Sequence, residues 1–115
     1  MNLTQRPIYP RAMRNVVSAH ARNAAKGQPC TLRLECCNDD PATTVLAHIR
    51  LFGWAGMAQK PPDFLGVFAC SACHDALDGR ADAGLWGFED VLRALGETLI
   101  RQHAAGNLTM KGQSE

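Results

Sequence analysis

Two rhythms of apolar positions run along the chain. Over 12–26 an Ala- and Arg-rich stretch places Met13, Val16, Val17 and Ala24 on one side, which predicts a helix. Gly27 suits its end, and Pro29 keeps it from resuming. Alternation over 30–34 predicts a short strand, leading into the turn chemistry of Cys36-Cys37-Asn38-Asp39-Asp40-Pro41. The β-branched and apolar runs 43–51 and 64–69 predict two further strands. Between them, 52–63 carries two glycines and Pro61-Pro62, a long connection of the kind that often bears function. From Cys70 to Asp78 the chain reads as a metal knuckle continuing into a helix. The longest helix is predicted over 88–105, with Val91, Leu92, Leu95, Leu99 and Ile100 as its apolar face and Gly106 closing it. Residues 1–10 and 107–115 carry neither rhythm and are expected to be poorly ordered.

Composition narrows the class. The 115 residues suit a single domain, 1–115. A chain of this size buries only about 65% of its unfolded surface, so an added staple would help it. A hydrophobic share of 46% and a charged share of 20% exclude wholesale disorder. The net charge of +1 gives no overall nucleic-acid signal. Its distribution is uneven, because Arg6, Arg11, Arg14, Arg22, Lys26 and Arg33 all precede the first acid, Glu35. Such an arm could meet phosphates or simply be a solvated face. No apolar run is long enough for a membrane span, and residues 1–10 lack the apolar core of a secretion signal, so the cytoplasm is the expected location. Disulfides are rare there, and five cysteines in a short chain then point to metal or catalysis, with one thiol left over.

The cysteine spacing favours metal. Cys70-Ser71-Ala72-Cys73 lets two thiolates reach one ion from a tight turn, and Cys30 with Cys36 or Cys37 can supply the other pair. Zinc prefers such an all-sulfur tetrahedron, and a closed four-ligand site contributes folding free energy on the order of 10 kcal/mol. Two other readings compete: a redox dithiol, which lacks the Trp and Pro context of thioredoxin, and a set of buried inert thiols. Cys70 to His74 also fits a c-type haem attachment, but that needs export and leaves the other cysteines unexplained.

His48 lies within the predicted strand 43–51, and His74-Asp75 open the helix after the next strand. Strand, strand, helix, with a histidine on the first strand and metal-binding groups on the helix, is the layout of a ββα-metal nuclease site. The runs Val45-Leu46-Ala47-His48-Ile49-Arg50-Leu51, Lys60-Pro61-Pro62-Asp63 and Ala69-Cys70-Ser71-Ala72-Cys73-His74-Asp75 together resemble the YbcO-like family of nucleases from lambdoid prophages, and more widely HNH endonucleases. The likeness extends upstream to 24–30 and Cys37-Asn38, covering about residues 20–80. It implies that His48 is the general base that deprotonates the attacking water, and that His74 helps bind a divalent ion at the scissile phosphate. By position it also selects Cys37 over Cys36, so the implied zinc set is Cys30, Cys37, Cys70 and Cys73.

Two departures stand out. Many HNH sites place an acid or histidine directly before the base, where this chain has Ala47. The asparagine that usually orients the base has no counterpart between Leu51 and Cys70. Asp63, Asp75 or Asp78 could complete the metal shell, and a backbone carbonyl could orient His48. Asp75 equally suits the positive end of its helix, while Asp78 reads as solvated. Arg50 and Lys60 are candidate phosphate contacts. Trp54 could pack or stack on a base, and Trp86 should anchor the last helix. His20 and His103 lack partners at ligand spacing.

The expectation is therefore an α+β fold: a small zinc-stabilised domain with an HNH-like ββα-metal element, flanking helices and a nuclease-like core over about 27–80. It would be an endonuclease acting on nucleic acid, with DNA as the expected substrate, structural Zn²⁺ and catalytic Mg²⁺ or Mn²⁺. The other reading is a non-catalytic zinc module that binds nucleic acid or a recombination or phage protein.

Overall fold

The structure, a computed structural model, describes residues 16–50, 61–80 and 86–114. Its elements are α1 (Ala19–Asn23), β1 (Val45–His48), β2 (Gly66–Ala69), α2 (Ser71–Leu77) and α3 (Phe88–Ala104). β1 and β2 pair antiparallel, Val45 opposite Ala69 and His48 opposite Gly66. Gly66 suits the close packing here, since a Cβ would stand 2.8 Å from the Leu46 side chain and force it to shift. Strand alternation divides the sheet into two faces. Leu46 and Phe68 pack with Ala25 near α1, whereas Ala47, Val67 and Ala69 join Cys30, Cys70, Cys73 and Ala94 in the larger core.

The helix predicted over 12–26 is described only from residue 16, and there it is shorter. Ser18 caps α1, its hydroxyl accepting the Ala21 N–H at 3.1 Å, and Val16 and Val17 lie before the cap, exposed. A serine that satisfies an otherwise orphaned donor starts a helix where it sits, whatever the apolar spacing upstream.

The strand expected over 30–34 does not form. Arg33 adopts φ 48°, a left-handed conformation incompatible with a ladder, and its N–H points to the Cys30 sulfur at 3.5 Å. Only Thr31 reaches the sheet, donating its N–H to the Phe68 carbonyl at 2.7 Å. The Phe68 N–H donates to the Thr98 hydroxyl at 3.0 Å, so a side chain of α3 completes that edge instead of a third strand.

The other two strands are shorter than predicted. Pro41–Thr43 form a 3-10 turn capped by Asp40 before β1, and Asp63–Leu65 form another before β2. Leu51 and the connection through residue 60, with Trp54 and Lys60, lie outside the described residues.

α3 keeps its predicted length but turns a different face inward. Val91, Ala94, Thr98 and Gln102 are buried, whereas Leu92 and Ile100 are each 71% exposed. Ala94 permits close approach to β2, Thr98 bonds Phe68, and Gln102 donates to the Ala21 carbonyl at 2.9 Å. Satisfying buried backbone groups outweighs the apolar count here. Trp86 packs against the core and edge-on to Phe88, with centroids 5.8 Å apart. Among the described residues, no helix is long and apolar enough to cross a membrane.

Candidate functional site

The first feature is a knot of sulfur. The Sγ atoms of Cys30, Cys37, Cys70 and Cys73 all lie within 4.8 Å of one another, and three of these residues are buried. A short-range reason brings each pair into place. Cys70 caps α2, its sulfur accepting the Cys73 N–H at 3.4 Å, and the Arg33 N–H approaches Cys30 in the same i to i+3 manner. The left-handed turn at Arg33 then reverses the chain, and Cys37 donates its N–H to the Leu34 carbonyl at 2.9 Å. Cys36 stays outside the set, with its thiol 3.8 Å from the Ala72 carbonyl.

These sulfurs could hold a metal ion. A tetrahedron with metal–sulfur bonds of about 2.3 Å has edges of about 3.8 Å, and the Cys37 and Cys70 sulfurs are 3.8 Å apart. Burial, reinforced by the neighbouring Cys30, pushes the Cys37 thiol up to about 11 and raises Cys73 as well. Cys70 is also buried, but N–H groups of Cys73 and Asn38 and the adjacent thiols hold it below its ordinary value. Burial thus opposes ionisation of Cys37 and Cys73, a penalty that a bound cation would reverse.

The second feature lies across β1. A cavity of about 530 Å³ is lined by His48 of β1 and His74 and Asp78 at α2, together with the cations Arg22, Lys26, Arg50 and Arg80. His74 Nε2 sits 3.1 Å from Asp78 Oδ2, and Arg80 approaches the same oxygen at 3.4 Å. Asp78, read from sequence as solvated, is thus paired and mostly covered, its side chain 18% exposed. Asp75 is bound by Arg80 at 2.9 Å, is more exposed and does not line the cavity. Arg50 lines it, whereas Lys60 lies outside the described residues.

Asp63 takes a place that sequence reasoning missed. The sequence suggests it as a metal ligand and a carbonyl as the group that orients His48, whereas its own Oδ1 stands 2.8 Å from His48 Nε2. Arg22 of α1 grips both its oxygens at 2.9 to 3.1 Å, and the Ser18 N–H donates to Oδ2 at 2.6 Å. Burial would raise the Asp63 carboxyl, yet Arg22, Ser18 and His48 outweigh it and hold the group below its usual range. The signal available in sequence was Pro61-Pro62, whose rings limit the approach to Asp63, but no local periodicity links residues 22, 48 and 63.

A small α+β chain thus carries four thiols that could hold a metal ion on one side of its paired strands and a basic, histidine-bearing cavity on the other. The family model described as "Putative nuclease YbcO" matches residues 19–107, and the chain belongs to this YbcO-like family of prophage nucleases. It is 45% identical over 86 residues to the protein of that name from Escherichia coli (strain K12), a match covering 71% of this chain and 88% of the relative. The same figures hold for the protein of that name from Enterobacteria phage 82. Among solved structures, one of "a putative bacteriophage protein" from Escherichia coli str. K-12 substr. MG1655 superposes with a TM-score of 0.57 at 33% identity. That match covers 76% of this chain and 100% of the other.

Proposed function

We propose that this chain is a metal-dependent endonuclease of HNH-like type, hydrolysing phosphodiester bonds in DNA. The observation that carries the reading is that His48 and His74, from different elements, line one cavity with four cationic side chains. In this reading β1, β2 and α2 are the ββα-metal element. His48 takes the proton from the attacking water, which a neutral imidazole can do near physiological pH. His74 and Asp78 hold Mg²⁺ or Mn²⁺, in preference to Asp75, which does not line the cavity. Two protein donors, one a carboxylate, leave room for the waters and phosphate oxygens that Mg²⁺ keeps. Such an ion supplies charge stabilisation at the scissile phosphate and the leaving 3′ oxygen. Arg50, Lys26 and Arg80 bind phosphates and set the strand's position. Cys30, Cys37, Cys70 and Cys73 hold a structural Zn²⁺ whose closed set performs no chemistry.

Supercoiled plasmid incubated with Mg²⁺ or Mn²⁺ tests this. The parent should nick it and His48→Ala should not; equal nicking by both removes His48 as the base. A second reading, a non-catalytic zinc module that binds nucleic acid or a recombination protein, is favoured by one observation. Ala47, where a metal ligand often precedes the base, is fully buried in the apolar core. DNA binding without cleavage under any divalent metal is its signature.

A further inference from the structure

We infer that Asp63, held by Arg22 of α1, positions His48 and fixes which of its ring nitrogens carries the proton. The inference rests on the nuclease reading for its catalytic consequence, but the ring assignment stands on geometry alone. Asp63 is 3% exposed, and among the described residues its carboxylate meets the Ser18 N–H, the Arg22 guanidinium and His48. Oδ2 accepts the Ser18 N–H at 2.6 Å and Arg22 Nε at 2.9 Å. Oδ1 accepts the Arg22 terminal nitrogen at 3.0 Å and faces His48 Nε2 at 2.8 Å.

An ionised carboxylate can only accept, so Nε2 must be the protonated nitrogen of the ring. The neutral ring then carries its lone pair on Nδ1, the one nitrogen that Asp63 leaves free to take a proton from water. A base with the wrong tautomer has nothing to accept with, however well it is placed. Arg22 has a specific part in this. Its fork spans both oxygens, so the carboxylate cannot rotate away from His48 without losing charge-assisted bonds. The short helix α1, which contributes no residue to the sheet, thereby becomes part of the catalytic support. This is also a physical answer to the asparagine that the sequence lacks between the strands.

Asparagine at position 63 would not be equivalent. Its amide nitrogen must replace one oxygen. One orientation is disfavoured, since it sets a donor against the Ser18 N–H and Arg22, neither of which can accept. In the other it would point a donor at His48, turning Nε2 into an acceptor and moving the ring proton to Nδ1.

The test is a two-bond ¹H–¹⁵N correlation spectrum of the ¹⁵N-histidine-labelled full chain near pH 8, above the ordinary histidine range of about 6.5. The His48 signals are identified by their loss in His48→Gln. The parent should show a protonated Nε2 and an unprotonated Nδ1 at His48. Asp63→Asn should lose that pattern and, in plasmid nicking, lower kcat about 10²-fold with KM changed less than about twofold, the mark of a misplaced catalytic group. A parent ring protonated at Nδ1 overturns the inference, as does Asp63→Asn with the parent's pattern and kcat. The parent spectrum decides the ring assignment even if the variant misfolds. A parent that shows the expected tautomer but cleaves no DNA defeats the nuclease reading and leaves the positioning of the ring intact.

Discussion

Neighbouring residues of β1 face opposite tasks. Ala47 turns into the core that contains three of the clustered cysteines, while His48 turns toward a basic cavity and a buried carboxylate. On the first side the polar atoms are soft sulfurs closed against one another. On the second they are imidazoles, a carboxylate and guanidinium groups, open to a cavity of about 530 Å³. Four such donors around one ion would leave no free position for a substrate, so that a metal there would contribute to folding. A set left open, with one sign of charge predominating, attracts a polyanion. The two sites are one strand apart, and α2 joins them, since Cys70 and Cys73 lie at its start and His74 a residue further on.

The contrast can be broken most forcefully from the sulfur side. Cys73→Ser removes one of four ligands and should cost a large part of a metal-linked stability on the order of 10 kcal/mol, leaving the chain unfolded in a thermal melt followed by circular dichroism. A cooperative melt near that of the parent would mean that the cluster does not hold the fold together.

Asp63→Asn should cost about 2 kcal/mol near neutral pH, less than a wholly buried pair because Arg22 is partly exposed. The pH dependence has a definite sign. The native carboxyl of Asp63 is held below its ordinary value, so its stabilisation is complete above about pH 4 and is lost as pH falls through the native value. Denaturant midpoints of parent and variant should therefore converge in acid; a gap that persists there would show that ionisation of Asp63 is not its source.

His48→Ala should cost only about 1 kcal/mol, since Arg22 and Ser18 still satisfy Asp63, while removing nicking. A collapse of the fold in this variant would erase the division between the two sides. The smallest effect belongs to Arg33 and Glu97, whose paired bonds of 2.7 and 2.8 Å tie the cysteine turn to α3 at the surface. With Arg33 half exposed, Glu97→Ala should lower stability by about 0.5 kcal/mol, and by less in high salt, as read from melting temperatures.

Much of this was legible in the chain itself. Cysteine spacing and family likeness pointed to Cys30, Cys37, Cys70 and Cys73, which the fold brings together. The centres of both strands and the span of α3 followed from β-branched runs and helical period. What escaped was set by single polar bonds between distant residues. Thr98 turns α3 by satisfying Phe68, the sulfur of Cys30 draws the Arg33 N–H out of a would-be strand, and Ser18 decides where α1 starts. Asp63 escaped for the same reason, because its partners stand 15 and 41 residues away. Local periodicity carries no record of such pairings.

In the proposed function the sulfur cluster builds the site while the histidines work in it. Zinc per chain, measured by elemental analysis on the parent and on the double variant His48→Ala, His74→Ala, tests it most directly. About one zinc is expected in each, held by the same four thiolates. Loss of zinc from the double variant, or a folded parent with much less than one, would contradict it.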